Sequence, residues 1–238
     1  MEITGTVQNF SGTVRDLSEE TQDIAETDSD IADASESIYG EQAKLLPQVM
    51  QLFAQQIEAF DRENFEKTGS HVYEHLNYRI KEEQSMREKC RRQKLPESAQ
   101  SALRTIHDAI GFRIVCLFRE DVDRCVDFLR NLPGCRVELE KDYIRQAKPN
   151  GYRSYHMILL FTAPFSDVDG EDPGRFYVEV QLRTIAMDAW AALEHEIKYK
   201  HDIKNPELIV RELKRCAEEL AACDVSMQTL RNLVNRDI

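Results

Sequence analysis

DYIRQAKPNGYRSYH (Asp142–His156), an apolar run to Phe161, a polar break and then RFYVEVQLRT (Arg175–Thr184) form the stretch that decides the fold. It reads as a basic, glycine-hinged loop joined to strand-like segments. Lys148, Asn150, Gly151, Tyr152, Arg153 and His156 bring cations, an aromatic ring and a pliable backbone into a few residues, which suits an anion carrying a flat base. Beyond the break, Glu179, Gln181 and Arg183 alternate with Val178, Val180 and Leu182, and a strand's period of two puts the three polar groups on one face. A bound nucleotide and metal would account for such a face, and so would simple solvation.

Upstream, SALRTIHDAIGFRIVCLF (Ser101–Phe118) runs from a short helix into a strand, with Gly111 at the change of backbone. Ile110, Phe112, Ile114 and Cys116 face one side, and Asp108 at the entrance and Arg113 on the strand interrupt an otherwise apolar run. His107-Asp108 resembles the pair used by metal phosphohydrolases, but no second histidine cluster accompanies it and that reading is set aside. YRIKEEQSMREKCRRQK (Tyr78–Lys94) is basic; if its second half is helical, Ser85 and Lys89 share a face, with Arg79 and Lys81 on an extended lead-in. A plain solvated helix fits the same residues.

An amphipathic helix is predicted from about Glu41 to Lys67 on the spacing of Leu46, Val49, Met50, Phe53, Ile57 and Phe60. Another follows at Asp121–Leu132, then a turn at Pro133-Gly134 and strands at Cys135–Leu139 and Ser154–Phe161. Thr184 opens a helix on which Asp188 and His195 share a face and Trp190 offers core surface. Ile209, Leu213, Cys216, Leu220, Cys223, Met227, Leu230 and Val234 then form a heptad-like stripe, suited to a partner helix in this chain or in another.

The chain has 238 residues and a net charge of −12, of which residues 1–40 carry −9. Those residues read as an acidic, disordered tail. The near-neutral remainder argues against a dedicated duplex nucleic-acid binder. Six cysteines without zinc-ligand spacing, and the lack of a signal or membrane-spanning stretch, point to a reducing cytoplasm. Phosphate-loop, dinucleotide-fold, serine-hydrolase and zinc-protease motifs are missing. Two strand carboxylates, Asp108 and Glu179, with three basic clusters, suit Mg²⁺ and the transfer of a phosphoryl or pyrophosphoryl group.

The series R-x-K-x-x-x-S-x-x-x-K (Arg79–Lys89), D-x-x-G-x-R (Asp108–Arg113), D-Y-I-x-x-x-K-P-N-G-Y-R-S-x-H (Asp142–His156), E-x-Q-x-R-T (Glu179–Thr184) and A-M-x-x-W-A-x-x-E-H ending at His195, in that order, resembles the synthetase domain of RelA/SpoT-type proteins, and the length resembles their small single-domain alarmone synthetases. The resemblance covers about residues 45 to 235. It departs in the Ala109-Ile110 order after Asp108, where the family often has the reverse, and in the long acidic tail.

The resemblance implies an α+β, nucleotidyltransferase-like fold: a mixed sheet of about five strands flanked by helices, with N- and C-terminal helical extensions. The organisation expected is a tail at 1–40, a synthetase domain at 41–205 and an amphipathic packing or oligomerisation helix at 206–238. The activity implied is transfer of the β,γ-pyrophosphate of ATP to the 3′-hydroxyl of GTP or GDP, giving pppGpp or ppGpp. Arg79 and Arg113 would sandwich the adenine, and Lys81, Ser85 and Lys89 would hold the donor phosphates. Asp108 and Glu179 would bind Mg²⁺, with Glu179 also taking the proton of the attacking hydroxyl. Tyr152 would stack on guanine, Lys148 and His156 would steady the acceptor phosphates beside Asn150, and Asp188 would read the guanine edge. Gln181, Arg183, Glu194 and His195 would support these groups. A homo-oligomer, a tetramer, responsive to its own alarmone is also implied. The alternatives are a toxin of the same fold that modifies the 3′ end of tRNA, using the basic run Lys89–Lys94 as an RNA contact, and a regulator that binds nucleotide or RNA without turnover.

Overall fold

The computed structural model describes residues 37–199 and 205–235; the tail assigned from sequence lies outside them up to residue 36. Five strands form one sheet in the order β1-β2-β5-β4-β3, where β1 is His75–Ile80, β2 Ile110–Cys116, β3 Cys135–Asp142, β4 Tyr155–Ala163 and β5 Gly174–Thr184. The β2–β5 pair is parallel and the other three pairs are antiparallel, so the sheet is mixed, as expected. Helices α1 (Leu46–Thr68), α2 (Glu83–Gln93), α3 (Arg119–Arg130), α4 (Ile185–Tyr199) and α5 (Pro206–Val234) surround it.

The alternation read in the sequence separates two faces. Ile110, Phe112 and Ile114 of β2, Met157, Leu159 and Phe161 of β4 and Val178, Val180 and Leu182 of β5 are buried with Val49, Phe53 and Ile57 of α1 and Val122, Cys125 and Leu129 of α3. Phe53 packs edge-on against both Phe112 and Phe161, with centroids 4.9 and 5.3 Å away. Burying each such side chain contributes about 1.5–3 kcal/mol, so this face anchors the sheet. The other face carries the polar residues and a smaller cluster of Tyr152, Trp190, Leu213 and Ala217.

Four local readings change. Gly111 is not the entry to the strand but its second residue, paired with Arg79 and Glu179. β3 continues past Leu139 to Asp142, because an edge strand tolerates the charged residues that look like loop. The first helical residues split into a 3₁₀ turn at Gly40–Lys44 and α1, which starts where proline occupies its first turn. Ile38 and Tyr39, assigned to the polar tail, are buried in the core, and the Tyr39 hydroxyl donates to the Lys81 carbonyl.

Helix α5 meets α4 through Leu213 and Ala217, while Leu230 and Val234 at its far end are 63% and 60% exposed. The apolar stripe therefore packs within the chain over its first half and lies open over its second.

Candidate active site

Strand register builds the polar face. Gly111 and Arg113 on β2 lie opposite Glu179 and Gln181 on β5, and His156 on β4 lies opposite Gln181. Arg79 on β1 pairs with Gly111, so Arg79 and Arg113 are diagonal neighbours on one face. Diagonal positions sit roughly 7–8 Å apart, about the separation that lets two guanidinium planes hold a flat ring between them. Both line a cleft with Asn77, Lys81, Asp108, Glu179 and Gln181.

At the head of the cleft, Asp108 Oδ2 accepts from Lys89 Nζ at 2.6 Å and Lys81 Nζ at 3.2 Å. Lys81 is itself fixed at its backbone, where its N–H donates to the Ala109 carbonyl at 2.9 Å and its carbonyl receives the Tyr39 hydroxyl. Burial pushes the Asp108 carboxyl up, but the Lys89 hydrogen bond and the two ammonium charges outweigh it and hold the group below its ordinary value. Its Oδ1 is buried with no hydrogen-bond partner in the protein. Glu179 is also pushed up by burial. Interaction with His156, whose Nδ1 is 3.6 Å from Oε1, and with Gln181 nevertheless keeps it below its ordinary value, against repulsion from Asp108. Two ionised carboxylates thus face one cleft ringed by cations, an arrangement suited to a polyanion and a hard cation.

The loop between β3 and β4 carries a second cluster of polar and aromatic side chains. Lys148 N–H donates to the Tyr152 carbonyl and Gly151 N–H to the Lys148 carbonyl, which closes a tight turn with Gly151 at φ +94°. The Tyr152 hydroxyl meets His156 Nε2 at 2.8 Å and accepts from Arg183 Nη2 at 2.9 Å. Arg183, 6% exposed, also donates to Gln181 Oε1 at 2.7 Å and to Asp188 Oδ1 at 3.0 Å. Lys148 Nζ lies 4.6 Å from the Tyr152 ring centroid and 4.5 Å from that of Tyr143, a cation–π arrangement. Asn150 donates its amide to Glu194 on α4.

The sequence-predicted residues fall into two groups joined through β5. Arg79, Lys81, Asp108, Arg113 and Glu179 line the cleft, with Lys89 joined to it through Asp108; Lys148, Asn150, Tyr152, His156, Arg183, Asp188 and Glu194 are linked to one another or to α4 by contacts around the β3–β4 loop, with Gln181 shared. Ser85 lies one turn before Lys89 on α2 and does not line the cleft, and His195 is exposed on α4. His107 stacks on Tyr177 with centroids 3.8 Å apart, a packing role. Sequence reasoning passed over Tyr143 and Asn77; alternation with Arg79 along β1 was the available signal for Asn77.

A mixed sheet whose polar face presents paired carboxylates among cations defines a protein that handles phosphorylated nucleotides. Residues 78–204 match the family described as "Region found in RelA / SpoT proteins". The Bacillus subtilis GTP pyrophosphokinase YwaC is 36% identical over 170 residues, which span 70% of this chain and 78% of that one. Small alarmone synthetase 1 of the same organism superposes with a TM-score of 0.68 in its complex with its product pppGpp, at 31% identity over 79% of this chain and 94% of the other. Bound to AMPCPP, it superposes at 0.63, with 28% identity over 80% and 94%. The chain belongs to the RelA/SpoT family.

Proposed function

We propose that the protein transfers the β,γ-pyrophosphate of ATP to the 3′-hydroxyl of GTP or GDP, making pppGpp or ppGpp. The observation that carries this is the pairing of Asp108 and Glu179 in a cleft ringed by Arg79, Lys81, Lys89 and Arg113. Relatives named as GTP pyrophosphokinases, and a neighbour that binds an ATP analogue and pppGpp, support the same activity.

Arg79 and Arg113 clamp the adenine between guanidinium planes, a job a lysine does poorly. Lys81 and Lys89 neutralise the donor phosphates, exchanging part of their contact with Asp108 for them, and Ser85, one turn before Lys89 on α2 and outside the cleft lining, would meet only phosphate oxygens that project beyond it. Glu179, ionised and half-enclosed, takes the proton of the attacking 3′-hydroxyl. A guanine base stacking on Tyr152 displaces Lys148 from the ring and sends its ammonium to the acceptor phosphates, where His156 and Asn150 join it. Asp188 accepts from the guanine N1–H and amino group, an edge that adenine does not offer. Gln181, Arg183, Glu194 and His195 hold these groups in place.

Mg²⁺ fits Asp108 and Glu179: the Asp108 Oδ1 is buried without a protein partner, and this ion binds through one or two carboxylates plus substrate phosphates. When bound it would neutralise charge developing on the transferred group.

The basic run invoked for tRNA starts with Lys89 turned into the cleft on Asp108 and continues with Arg91 paired to Glu97, which favours the nucleotide acceptor. Exposed Leu230, Leu233 and Val234 support a homo-oligomer, for which the family resemblance implies a tetramer. Among the described residues no helix is long and apolar enough to cross a membrane. The six free cysteines support a cytoplasmic setting.

The test is incubation of the full chain with Mg²⁺ and γ-labelled ATP against GTP, GDP, GMP and deacylated tRNA, alongside Glu179→Ala. Label passing to guanine nucleotides, and lost in the variant, is the expected result. Label passing only to tRNA, or to nothing, would overturn the proposal.

A further inference from the structure

Helix α5 carries none of the residues assigned to either substrate, yet it touches both walls of the Tyr152 subsite. Trp190 Nε1 on α4 donates to the Leu213 carbonyl at 2.7 Å. Ala217 meets the loop at Gly151 so closely that a Cβ built on that glycine would lie 2.6 Å from the alanine's own. One turn beyond Leu220, Asp224 Oδ2 accepts from the Thr184 hydroxyl at 2.7 Å, with both residues buried. Arg231 then pairs with Asp121 of α3 at 2.6 Å, which pins the far part of the helix to the layer on the other side.

We infer that Asp224 is a positioning residue for the acceptor subsite, acting through Thr184 to fix the junction of β5 and α4. The inference rests on the acceptor reading of Tyr152 and Asp188. Thr184 has one hydroxyl proton and spends it on Asp224, which leaves the oxygen's lone pairs free to accept the Met187 N–H at 3.2 Å. That contact satisfies an otherwise orphaned donor in the first turn of α4. Arg183 immediately precedes Thr184, and Asp188 lies in the turn that Thr184 organises. The direction of one hydroxyl therefore sets where the Arg183–Asp188 pair stands relative to Tyr152.

Packing alone is a poor reason for a carboxyl at this place. Asp224 is 2% exposed, and its Oδ1 has no hydrogen-bond partner. Leaving such an atom unpaired is unfavourable where a leucine or alanine would bury without cost. Burial pushes the Asp224 carboxyl up despite the Thr184 hydrogen bond and the charges of Arg119 and Arg153. A neutral acceptor should therefore do the same work, which makes asparagine the conservative replacement.

The experiment measures KM for ATP and for GDP, with kcat, in the wild-type chain and in Asp224→Leu, Asp224→Asn, Ala217→Val and Tyr152→Ala. Losing the acceptor for Thr184 in Asp224→Leu is expected to raise the GDP KM by about threefold to tenfold, the scale of one hydrogen bond, while the ATP KM holds. Asp224→Asn keeps an oxygen for Thr184 and is expected to restore the wild-type GDP KM. If Asp224→Leu does not fold, Thr184→Val, which removes the same bond from its other end, decides the matter in its place by the same rise in the GDP KM alone; Ala217→Val presses on Gly151 without touching that bond and serves as the control for displacement of the loop. Equal rises in both KM values, no change in either, or asparagine behaving like leucine overturns the inference. A normal GDP KM in Tyr152→Ala would sink the acceptor reading itself, and the inference with it; a raised one there with none in Asp224→Leu, or in Thr184→Val where that variant stands in for it, sinks the inference alone.

Discussion

Asp188 Oδ1 lies 3.0 Å from Arg183 Nη1 and 3.5 Å from Arg113 Nη1, so a single carboxylate oxygen joins a residue of the proposed adenine clamp to the proposed guanine subsite. The two contacts differ in kind. Arg183 is buried, whereas Arg113 is 45% exposed at its side chain, so the longer contact is the one a substrate can open. Exposed pairs of this sort contribute about 0.2–1 kcal/mol.

The pair predicts coupled substrates. Arg113→Ala should raise the KM for ATP about tenfold or more, on the scale of one lost cation–π contact in a desolvated site. Asp188→Ala should raise the KM for GTP or GDP by a similar factor through its lost hydrogen bonds. Because the residues touch, the effects on kcat/KM in the double variant should fail to add by roughly 0.5 kcal/mol or more. A double-mutant cycle with both substrates varied checks this, and strict additivity would show that the contact carries no coupling.

Glu179 is the group whose removal should strike turnover rather than binding. General-base contributions run to about 10²–10⁴-fold, so Glu179→Gln should lower kcat within that range while the KM for GDP changes little. Its carboxyl sits below the ordinary value of 4.5, so it is already ionised in the physiological range. The pH profile of kcat/KM should therefore show no acid limb from this residue between about pH 5 and 7. A limb there that vanishes in Glu179→Gln would show the carboxyl titrating above its ordinary value, against the effect of His156 and Gln181, while a kcat close to wild type in Glu179→Gln would contradict the general-base role.

Asp108 makes a separate prediction about stability. Its folded-state carboxyl lies below the unfolded value, so the stabilisation it contributes is fully present above the unfolded pKa and is lost as pH falls through the folded one. Chemical denaturation of the nucleotide-free protein from about pH 6 down to 3 should show a steeper loss in the wild type than in Asp108→Asn, which has no titrating group there. Parallel curves would mean that Lys81 and Lys89 do not stabilise the ionised form.

What could be read from the sequence was what depends on local period. Alternation along β5 put Glu179, Gln181 and Arg183 on one face, and the register then brought Gly111, Arg113 and His156 to it. Helical spacing likewise put Ser85 and Lys89 on one face of α2, though only the fold brings Lys89 to Asp108. What could not be read depends on contacts distant in the chain. Arg183 looked like a supporting residue because nothing in its strand reveals that α4 and the loop both converge on it. Tyr39 sat at the end of a polar tail, and only the fold brings its hydroxyl to the Lys81 carbonyl. The heptad stripe showed that α5 packs, but not that it packs on α4 and on the loop carrying Tyr152.

Gly151 permits the last prediction, because two separable costs meet there. Its φ of +94° is one that side chains rarely adopt, and a Cβ would stand 2.6 Å from that of Ala217 and 3.4 Å from the Lys214 Cα. The backbone cost of a non-glycine residue in such a region is on the order of 1–3 kcal/mol. The overlap adds to it unless the helix or the loop moves. Gly151→Ala should thus lower the melting temperature and raise the KM for GTP or GDP, since the loop shifts Tyr152 as it yields, while the KM for ATP stays near wild type. Adding Ala217→Gly removes the overlap but leaves φ unchanged. The double variant should therefore recover part of the acceptor KM and keep a stability deficit of roughly 1 kcal/mol or more from the backbone, with the α5 glycine contributing about as much again. Calorimetry and steady-state kinetics on the two single variants and the double separate these terms. If Gly151→Ala disturbs both substrates equally, the loop does not belong to the acceptor alone.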